Sequence, residues 1–501
     1  MCDRDRIDYL SLDRLSADRA AWLVARGVNK GHRVALLMPN SVEWAVNACA
    51  IMRIGAVLTP LSTLLRPPEL TAQLSIAAVR HVITASAHRG RNYREDFAII
   101  DRTKLPSLQN IWWAEELGGG ELSAHRAVAA ALGDGVRPAD DMVVIFTSGS
   151  RDAPKGVIHT HGGALRATAA GLADRCVHRG TRVYVPMPFF WVGGFGSGLL
   201  SALIAGATLL TEASPEPAAT LRFLAREQVT LFRGWPEQAA RIARHPDFGS
   251  VELPALGPGS LDALLPPALR SLPGSRANLF GMTETFGPYC GYALDQDLPA
   301  DKFGSCGRPF SGVQLRIVDS ATGAALSRDE IGSIQVRGNN LLRGICGRER
   351  CNVFTPEGWY DTGDLGRLDH DGFLFFAGRR DDMLKIKGAS VYPAEVEAAL
   401  RTLPEVEHAF VTGLVVDGLT MMGAAIIPSN PGELDLQSLT DQARQRLSAF
   451  KVPARWAVLD SPDALPRTPT GKIDKAGLQA LLIHTAGSVA AADPANLMGK
   501  E

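Results

Sequence analysis

The 501-residue chain has no uninterrupted apolar run of the about 18–20 residues that a membrane-spanning helix needs. It has no excess of charge of either sign, with 52 Lys and Arg against 53 Asp and Glu. That balance carries no electrostatic footprint for nucleic acid or for an anionic membrane surface. Cysteine is sparse: seven residues, an odd number, with no pair at CxxC spacing. Cys346 and Cys351 are the nearest pair, and no second cluster completes a zinc site, so reduced thiols in a cytoplasmic protein are expected. The N-terminal segment Met1-Cys2-Asp3-Arg4-Asp5-Arg6 has no apolar signal core, and the last four residues match no lipidation or peroxisomal signal. Between Tyr184 and Ala202 there is no acidic residue at all.

What is present is a globular balance, 46% apolar, in a chain long enough for more than one core. The first ninety residues alternate between helical and strand patterns. Leu12, Leu15, Trp22 and Leu23 fall near one helical face that Gly27 is placed to end. Val34–Met38 reads as a buried strand, Ser41 caps the next helix, and further strands follow at Ala56–Thr59 and Val82–Thr84. This alternation predicts a parallel α/β sheet covered on both faces. Apolar strands recur at Met142–Phe146, Arg182–Val185, Ala207–Leu210 and Thr230–Phe232. From Gly304 to Gly338 short strands with little helix predict a β-rich subdomain. After Arg380 come a helix at Pro393–Leu400, strands near 408–414 and 421–427, and helices near 435–449 and 473–482. The fold class is therefore α/β: a large N-terminal domain, 1–380, of parallel or mixed sheets covered by helices with a β-rich subdomain, and a small mobile α+β C-terminal domain, 381–501. The Ala-rich stretch from Gly487 is expected to be disordered.

The strongest chemical signal follows the strand at Met142–Phe146. Thr147-Ser148-Gly149-Ser150-Arg151-Asp152-Ala153-Pro154-Lys155-Gly156 offers hydroxyls, glycine-freed amides and one lysine, the groups a loop needs to wrap a polyphosphate. It is not a Walker A loop, because Pro154 precedes the lysine and Gly156 follows it. A generic Ser/Gly surface loop is the competing reading. Four more segments stand out: Phe280-Gly281-Met282-Thr283-Glu284, Trp359-Tyr360-Asp361-Thr362-Gly363-Asp364, Gly378-Arg379-Arg380-Asp381 with Lys385 and Gly388, and Leu465–Lys475 around Lys472. Singly, these read as a capped turn, an ordinary Asp-Thr-Gly-Asp turn, a charged surface turn and a solvated lysine.

Together and in this order they resemble the adenylate-forming superfamily, which includes acyl-CoA synthetases. The resemblance runs from about Ala20 to Lys475. It implies an acid–CoA ligase that uses ATP and Mg2+ to make an acyl-AMP and then passes the acyl group to coenzyme A. It implies ATP contacts at Thr147, Ser148, Gly149, Ser150 and Lys155, and adenine stacking on Phe280 beside Gly281. Thr283 would contact the α-phosphate and Glu284 would hold Mg2+. Asp364 and Arg379 would read the ribose. Asp381 would be the hinge, Lys385 and Gly388 the thioester-forming loop, and Lys472 the catalytic lysine of adenylation. Arg151 and Asp152 depart from the family's Thr and Gly, which puts a negative charge near the triphosphate. Relatives typically carry some thirty more residues before Leu12, and their lack is expected to leave a sheet edge uncovered.

The segment Pro186–Phe195 lies where the family lines its acyl site, with Phe190, Trp191, Gly193 and Gly194 as the pocket residues. An unpaired ammonium in an apolar site is costly, so the missing acid argues against an amino-acid substrate and for an apolar carboxylic acid. The same aromatics also read as plain core. Gly257–Ser260 would face adenine. The expected partners are the acid, ATP and CoA, with no nucleic acid, no membrane segment, and a homodimer as a possible assembly. The rival readings are an acyl-AMP ligase loading a carrier-protein pantetheine and a weakly catalytic nucleotide-binding relative.

Overall fold

The computed structural model describes residues 1–2, 5–118, 122–147, 154–382, 384–386, 389–416, 419–430, 434–447, 451–468 and 473–484. The stretch from Gly487 lies outside them. The chain folds as two compact units: Met1–Leu315 with Val336–Tyr360 and Asp371–Leu374, and Arg316–Gln335 with Asp361–His370 and the residues from Phe375 onward.

The first unit is built on a seven-stranded sheet. Its order is Gly344–Ile345, Lys155–Thr160, Asp141–Thr147, Val57–Pro60, Arg33–Leu37, His81–Thr84, Asn110–Trp113. The middle strands pair in parallel, as their alternation with helices predicts. The sheet turns antiparallel where Asp141–Thr147 meets Lys155–Thr160. Successive side chains of a strand point to opposite faces, and both faces are filled. Val34, Leu36, Leu58, Ile83, Val143 and Ile145 enter one core with Trp22 and Trp44. Ala35, Leu37, Val57, Val82 and Val144 enter the other with Tyr93 and Phe97. Ser41 caps the helix Val42–Arg53 as predicted, its hydroxyl accepting from the Trp44 amide at 2.9 Å.

A second, all-parallel sheet has the order Thr208–Leu210, Arg182–Tyr184, Leu231–Phe232. Its Thr208–Leu210 edge, expected to be bare, is met by the first two residues. The Met1 carbonyl accepts from Thr211 at 3.1 Å, and Cys2 bridges to Thr211 in parallel. A small antiparallel sheet, Phe280–Met282, Gly287–Gly291 and Arg308–Pro309, completes the described sheets that matter for the site.

A four-stranded sheet has the order Val313–Val318, Gly332–Gly338, Tyr360–Leu368, Leu374–Arg379, and most of its residues are grouped with the second unit. Beyond it, the long hairpin Val406–Val416 and Leu419–Pro428 pairs with Arg455–Val458. The helices Pro393–Leu400 and Leu436–Arg446 supply Val396, Leu400, Leu439 and Ala443 to a core around Trp456.

Trp44 is fully buried, with ring centroids 5.1 Å from Phe189 and 5.7 Å from Phe195. It ties the helix Val42–Arg53 to the segment that carries the acyl-site candidates. Trp44→Ala should lower unfolding free energy by about 3–5 kcal/mol, read from urea unfolding. A loss under 1 kcal/mol would show that this junction is not part of the cooperative core.

Candidate active site

The phosphate-loop candidate is the connection of an antiparallel hairpin. Thr147 and Lys155 face each other as the last register pair of Asp141–Thr147 and Lys155–Thr160. The sheet thus fixes both ends of the loop. Ser148, Gly149 and Ser150 lie outside the described residues, as do Arg151 and Asp152. Along the same hairpin strand the sequence reading missed His159. It is fully buried, and its Nε2 lies 2.7 Å from the Thr283 carbonyl. Its ring meets Phe286 edge-on at 4.9 Å. Burial lowers its pKa to about 4, so the ring is neutral near pH 7. A carbonyl only accepts, so Nε2 carries the proton and donates, and Nδ1 is left buried with no partner among the described residues.

Thr283 and Glu284 sit in one turn of 3-10 helix, Thr283–Thr285, between the strands Phe280–Met282 and Gly287–Gly291. Gly281 is required there, because a Cβ would lie 2.2 Å from the Gly287 carbonyl oxygen. The turn closes on Phe286 in a left-handed conformation, φ 56°, a rare state for an aromatic residue. Thr285 secures it by donating to the Met282 and Gly287 carbonyls at 3.0 and 2.7 Å. The Glu284 carbonyl accepts from Leu342 at 2.8 Å. The Glu284 residue is largely buried, while its carboxylate oxygens keep contact with solvent and form no hydrogen bond or ion pair among the described residues. A carboxylate in that state suits a hard cation that brings its own waters. No group of three or more His, Cys, Asp or Glu able to hold a metal occurs among the described residues. Phe280 presents a partly exposed ring, 5.5 Å from Tyr289.

At the acyl segment, Phe190 is buried while Trp191 is partly exposed, with its ring 5.0 Å from Phe190 and 5.6 Å from Trp235. Trp235 is 41% exposed, so these two tryptophans are not sealed core. Gly193 and Gly194 open the helix that follows, and Gly194 has no room for a side chain: a Cβ would fall 2.1 Å from the Pro188 carbonyl oxygen. The helix then runs as a π-helical turn over Phe195–Leu200, a form concentrated at functional sites. Its Gly196 packs against the Phe286 ring, which links the acyl segment to the Thr283–Glu284 turn. Gly259 and Ser260 lie by the strand Leu231–Phe232, the Ser260 hydroxyl accepting from Phe232 at 3.1 Å.

The second unit holds the ribose candidates. Asp364 and Arg379, on neighbouring strands, form an ion pair at 2.8 Å, with the Asp364 side chain 9% exposed. Arg380 pairs with Asp361 at 2.7 Å. Asp381 lies in the 3-10 turn Arg380–Asp382, and Lys385 in the short strand Leu384–Ile386. Their side chains, Gly388 and Lys472 lie outside the described residues. The flanks of the Lys472 loop are nonetheless drawn together by an Arg467–Ile473 bridge, and Lys475 pairs with Asp382 beside the expected hinge.

The AMP-binding enzyme family model matches residues 1–346, and the AMP-binding enzyme C-terminal domain matches 395–472. The chain is 31% identical over 486 residues to the 3-[(3aS,4S,7aS)-7a-methyl-1,5-dioxo-octahydro-1H-inden-4-yl]propanoyl:CoA ligase of Mycobacterium tuberculosis, covering 92% of this chain and 91% of that one. It is 31% identical over 479 residues to the feruloyl-CoA synthase of an Amycolatopsis species, covering 94% and 92%. The crystal structure of an anthranilate CoA ligase in complex with anthranoyl-AMP superimposes with a TM-score of 0.78 at 25% identity, over 96% and 93% of the two chains. The fold and site define an adenylate-forming enzyme. The chain belongs to the AMP-binding enzyme family.

His159 gives a pH signature. Its folded pKa is depressed below the ordinary 6.5, so its penalty is absent above pH 6.5 and grows as pH falls toward 4. Over that window it should remove up to about 3 kcal/mol of stability at 1.36 kcal/mol per pH unit. His159→Gln keeps a donor for Thr283 and should flatten the decline in urea unfolding between those pH values. An equally steep decline in the variant would refute the assignment.

Proposed function

We propose that this protein is an AMP-forming acid–CoA ligase acting on an apolar carboxylic acid. The single observation that carries the reading is the Thr283–Glu284 turn. Its solvent-facing carboxylate, on a largely buried residue, lies beside a threonine fixed from behind by a neutral histidine, in the unit that also carries the phosphate-loop hairpin. The named acids of the relatives, a bicyclic propanoic acid and a ferulic acid, are compatible with a wall of Trp191 and Trp235.

In the first half-reaction a carboxylate oxygen of the acid attacks the α-phosphorus of ATP. The new O–P bond forms as the bond to the bridging oxygen breaks, and pyrophosphate leaves. Negative charge accumulates on the α-phosphate, and preorganised donors there lower the barrier. Thr283 and Lys472 are assigned to that charge, Thr147, Ser148, Gly149, Ser150 and Lys155 to the triphosphate, and Phe280 with Gly281 to adenine. Asp364 and Arg379 are assigned to the ribose. Glu284 would hold Mg2+, which neutralises phosphate charge. In the second half-reaction the CoA thiol, having lost its proton, attacks the acyl carbon. A C–S bond forms, the C–O bond to AMP breaks, and AMP leaves. The domain boundary is placed at 380/381, with Asp381 as the hinge and Lys385 and Gly388 as the loop that serves this step. The seven free cysteines support a reducing, cytoplasmic location.

Lys472→Ala should reduce acid-dependent pyrophosphate release by about 10²–10³-fold while sparing CoA thioester formation from supplied acyl-AMP. Equal loss of both half-reactions would defeat the division of labour. If acyl-AMP forms but only a pantetheine-bearing carrier protein accepts the acyl group, the CoA acceptor is wrong and the adenylation stands. Trp191→Ala should shift kcat/KM toward bulkier acids, by about tenfold, with the ATP KM little changed. A destabilised variant with an unchanged order of acid preference would remove Trp191 from the pocket.

A further inference from the structure

A cation stands at the end of the acyl-site sheet with no ion-pair partner among the described residues. The strand Leu231–Phe232 runs parallel to Arg182–Tyr184, and the Arg233 amide continues the pairing by donating to the Tyr184 carbonyl at 2.9 Å. Arg233 thus sits at the carboxyl end of a parallel sheet, level with the point where the chain leaves for Pro186–Trp191. In open α/β sheets this is the end at which ligands bind. The next residue, Gly234, packs on Pro186, and Trp235 completes the edge contact with Trp191. Strand alternation puts Arg233 on the same face as Leu231. From there its Nη1 donates to the Gly259 carbonyl at 3.0 Å. That leaves most of a five-donor guanidinium without a protein acceptor.

Arg233 has no acidic ion-pair partner among the described residues, and the nearby Asp174 acts on Arg175. Arg175, itself buried, is close enough for its charge to oppose that of Arg233, and its own donors are spent on Gly171, Thr168 and Ser201. Asp295 lies against the Cys176 thiol. Burial lowers the Arg233 pKa to about 10, still far above neutrality, so the charge persists at pH 7. The side chain is nonetheless partly reachable by solvent. A charged guanidinium beside the acyl segment, with one protein acceptor and its remaining donors open to solvent, is placed to bind an oxygen of a ligand that displaces that water.

We propose that the acid substrate carries a second oxygen acceptor, remote from the reacting carboxylate, and that Arg233 binds it and sets specificity. The acceptor is a distal carboxylate or a ketone on an otherwise apolar body. This deepens the ligase reading and rests on its placement of the acyl site.

The test is a panel of three acid series matched in length: unsubstituted monocarboxylates, α,ω-dicarboxylates and monocarboxylates bearing a distal ketone. Each is followed by pyrophosphate release and by quenching of Trp191 and Trp235 fluorescence in the absence of ATP. The wild-type protein should favour a distal-oxygen series, and whichever series wins identifies the acceptor. Arg233→Met should cut kcat/KM for that series by about 10–100-fold relative to monocarboxylates, mainly through KM, while Arg233→Lys should keep part of the preference. A wild-type protein that handles unsubstituted monocarboxylates as well as the others overturns the proposal, even if Arg233→Met fails to fold. So does a folded Arg233→Met with the wild-type order of preference. Pyrophosphate release from no acid, with quenching that still depends on Arg233, would strike the ligase reading and leave this one standing.

Discussion

The hydrogen bond from the His159 imidazole to the Thr283 carbonyl is the contact on which the candidate site depends. It joins a strand of the seven-stranded sheet to a turn that is also held by Thr285, by Leu342 and by the flanking strand pair Phe280–Met282 and Gly287–Gly291. Thr283 is assigned to meet charge as it develops on a phosphate, and such stabilisation works only if the donor is already in place. A neutral ring in a dry environment suits that task. It donates one strong bond, and its lack of charge spares the site an ion that would have to be desolvated.

The same logic of fixed ends runs through the first unit. The sheet pins Thr147 against Lys155, the Phe286 ring joins the Thr283–Glu284 turn to the π-helical turn, and Trp44 backs the acyl segment through Phe189 and Phe195. In the second unit the Asp364–Arg379 pair does the equivalent for the ribose candidates, and the Lys475–Asp382 pair ties the end of the Lys472 loop to the turn that holds Asp381.

Much of this was legible in the sequence where the signal is contiguous. The apolar runs at Val34, Val82, Met142 and Val183 read directly as buried strands, and the cap at Ser41 was found because capping is local. The loop after Thr147 stands out by its composition, whereas the segments around Phe280, Asp364 and Arg379 are recognised only because their order along the chain resembles that of the family. The hairpin strand Lys155–Thr160 was missed, since Gly156, His159 and Thr160 break its apolar pattern. His159 was missed because its partner is 124 positions away. The only trace was a polar side chain in a run otherwise suited to burial. Arg233 was passed over for the opposite reason: an arginine after a strand looks like an ordinary surface charge until the fold shows that it has no acidic ion-pair partner among the described residues. The compact units group 316–335 and 361–370 with the C-terminal part, a pairing across sequence that a reading along the chain cannot see.

The proposed acyl wall is made of two kinds of material. Gly194 is a place where the main chain itself occupies the space a side chain would need, whereas Trp191, Trp235 and Arg233 are side chains mounted on that frame. Descent with modification can therefore exchange the second kind without disturbing the first. A change of acid preference thus calls for substitutions at those three side chains, while a side chain at Gly194 would collide with the main chain.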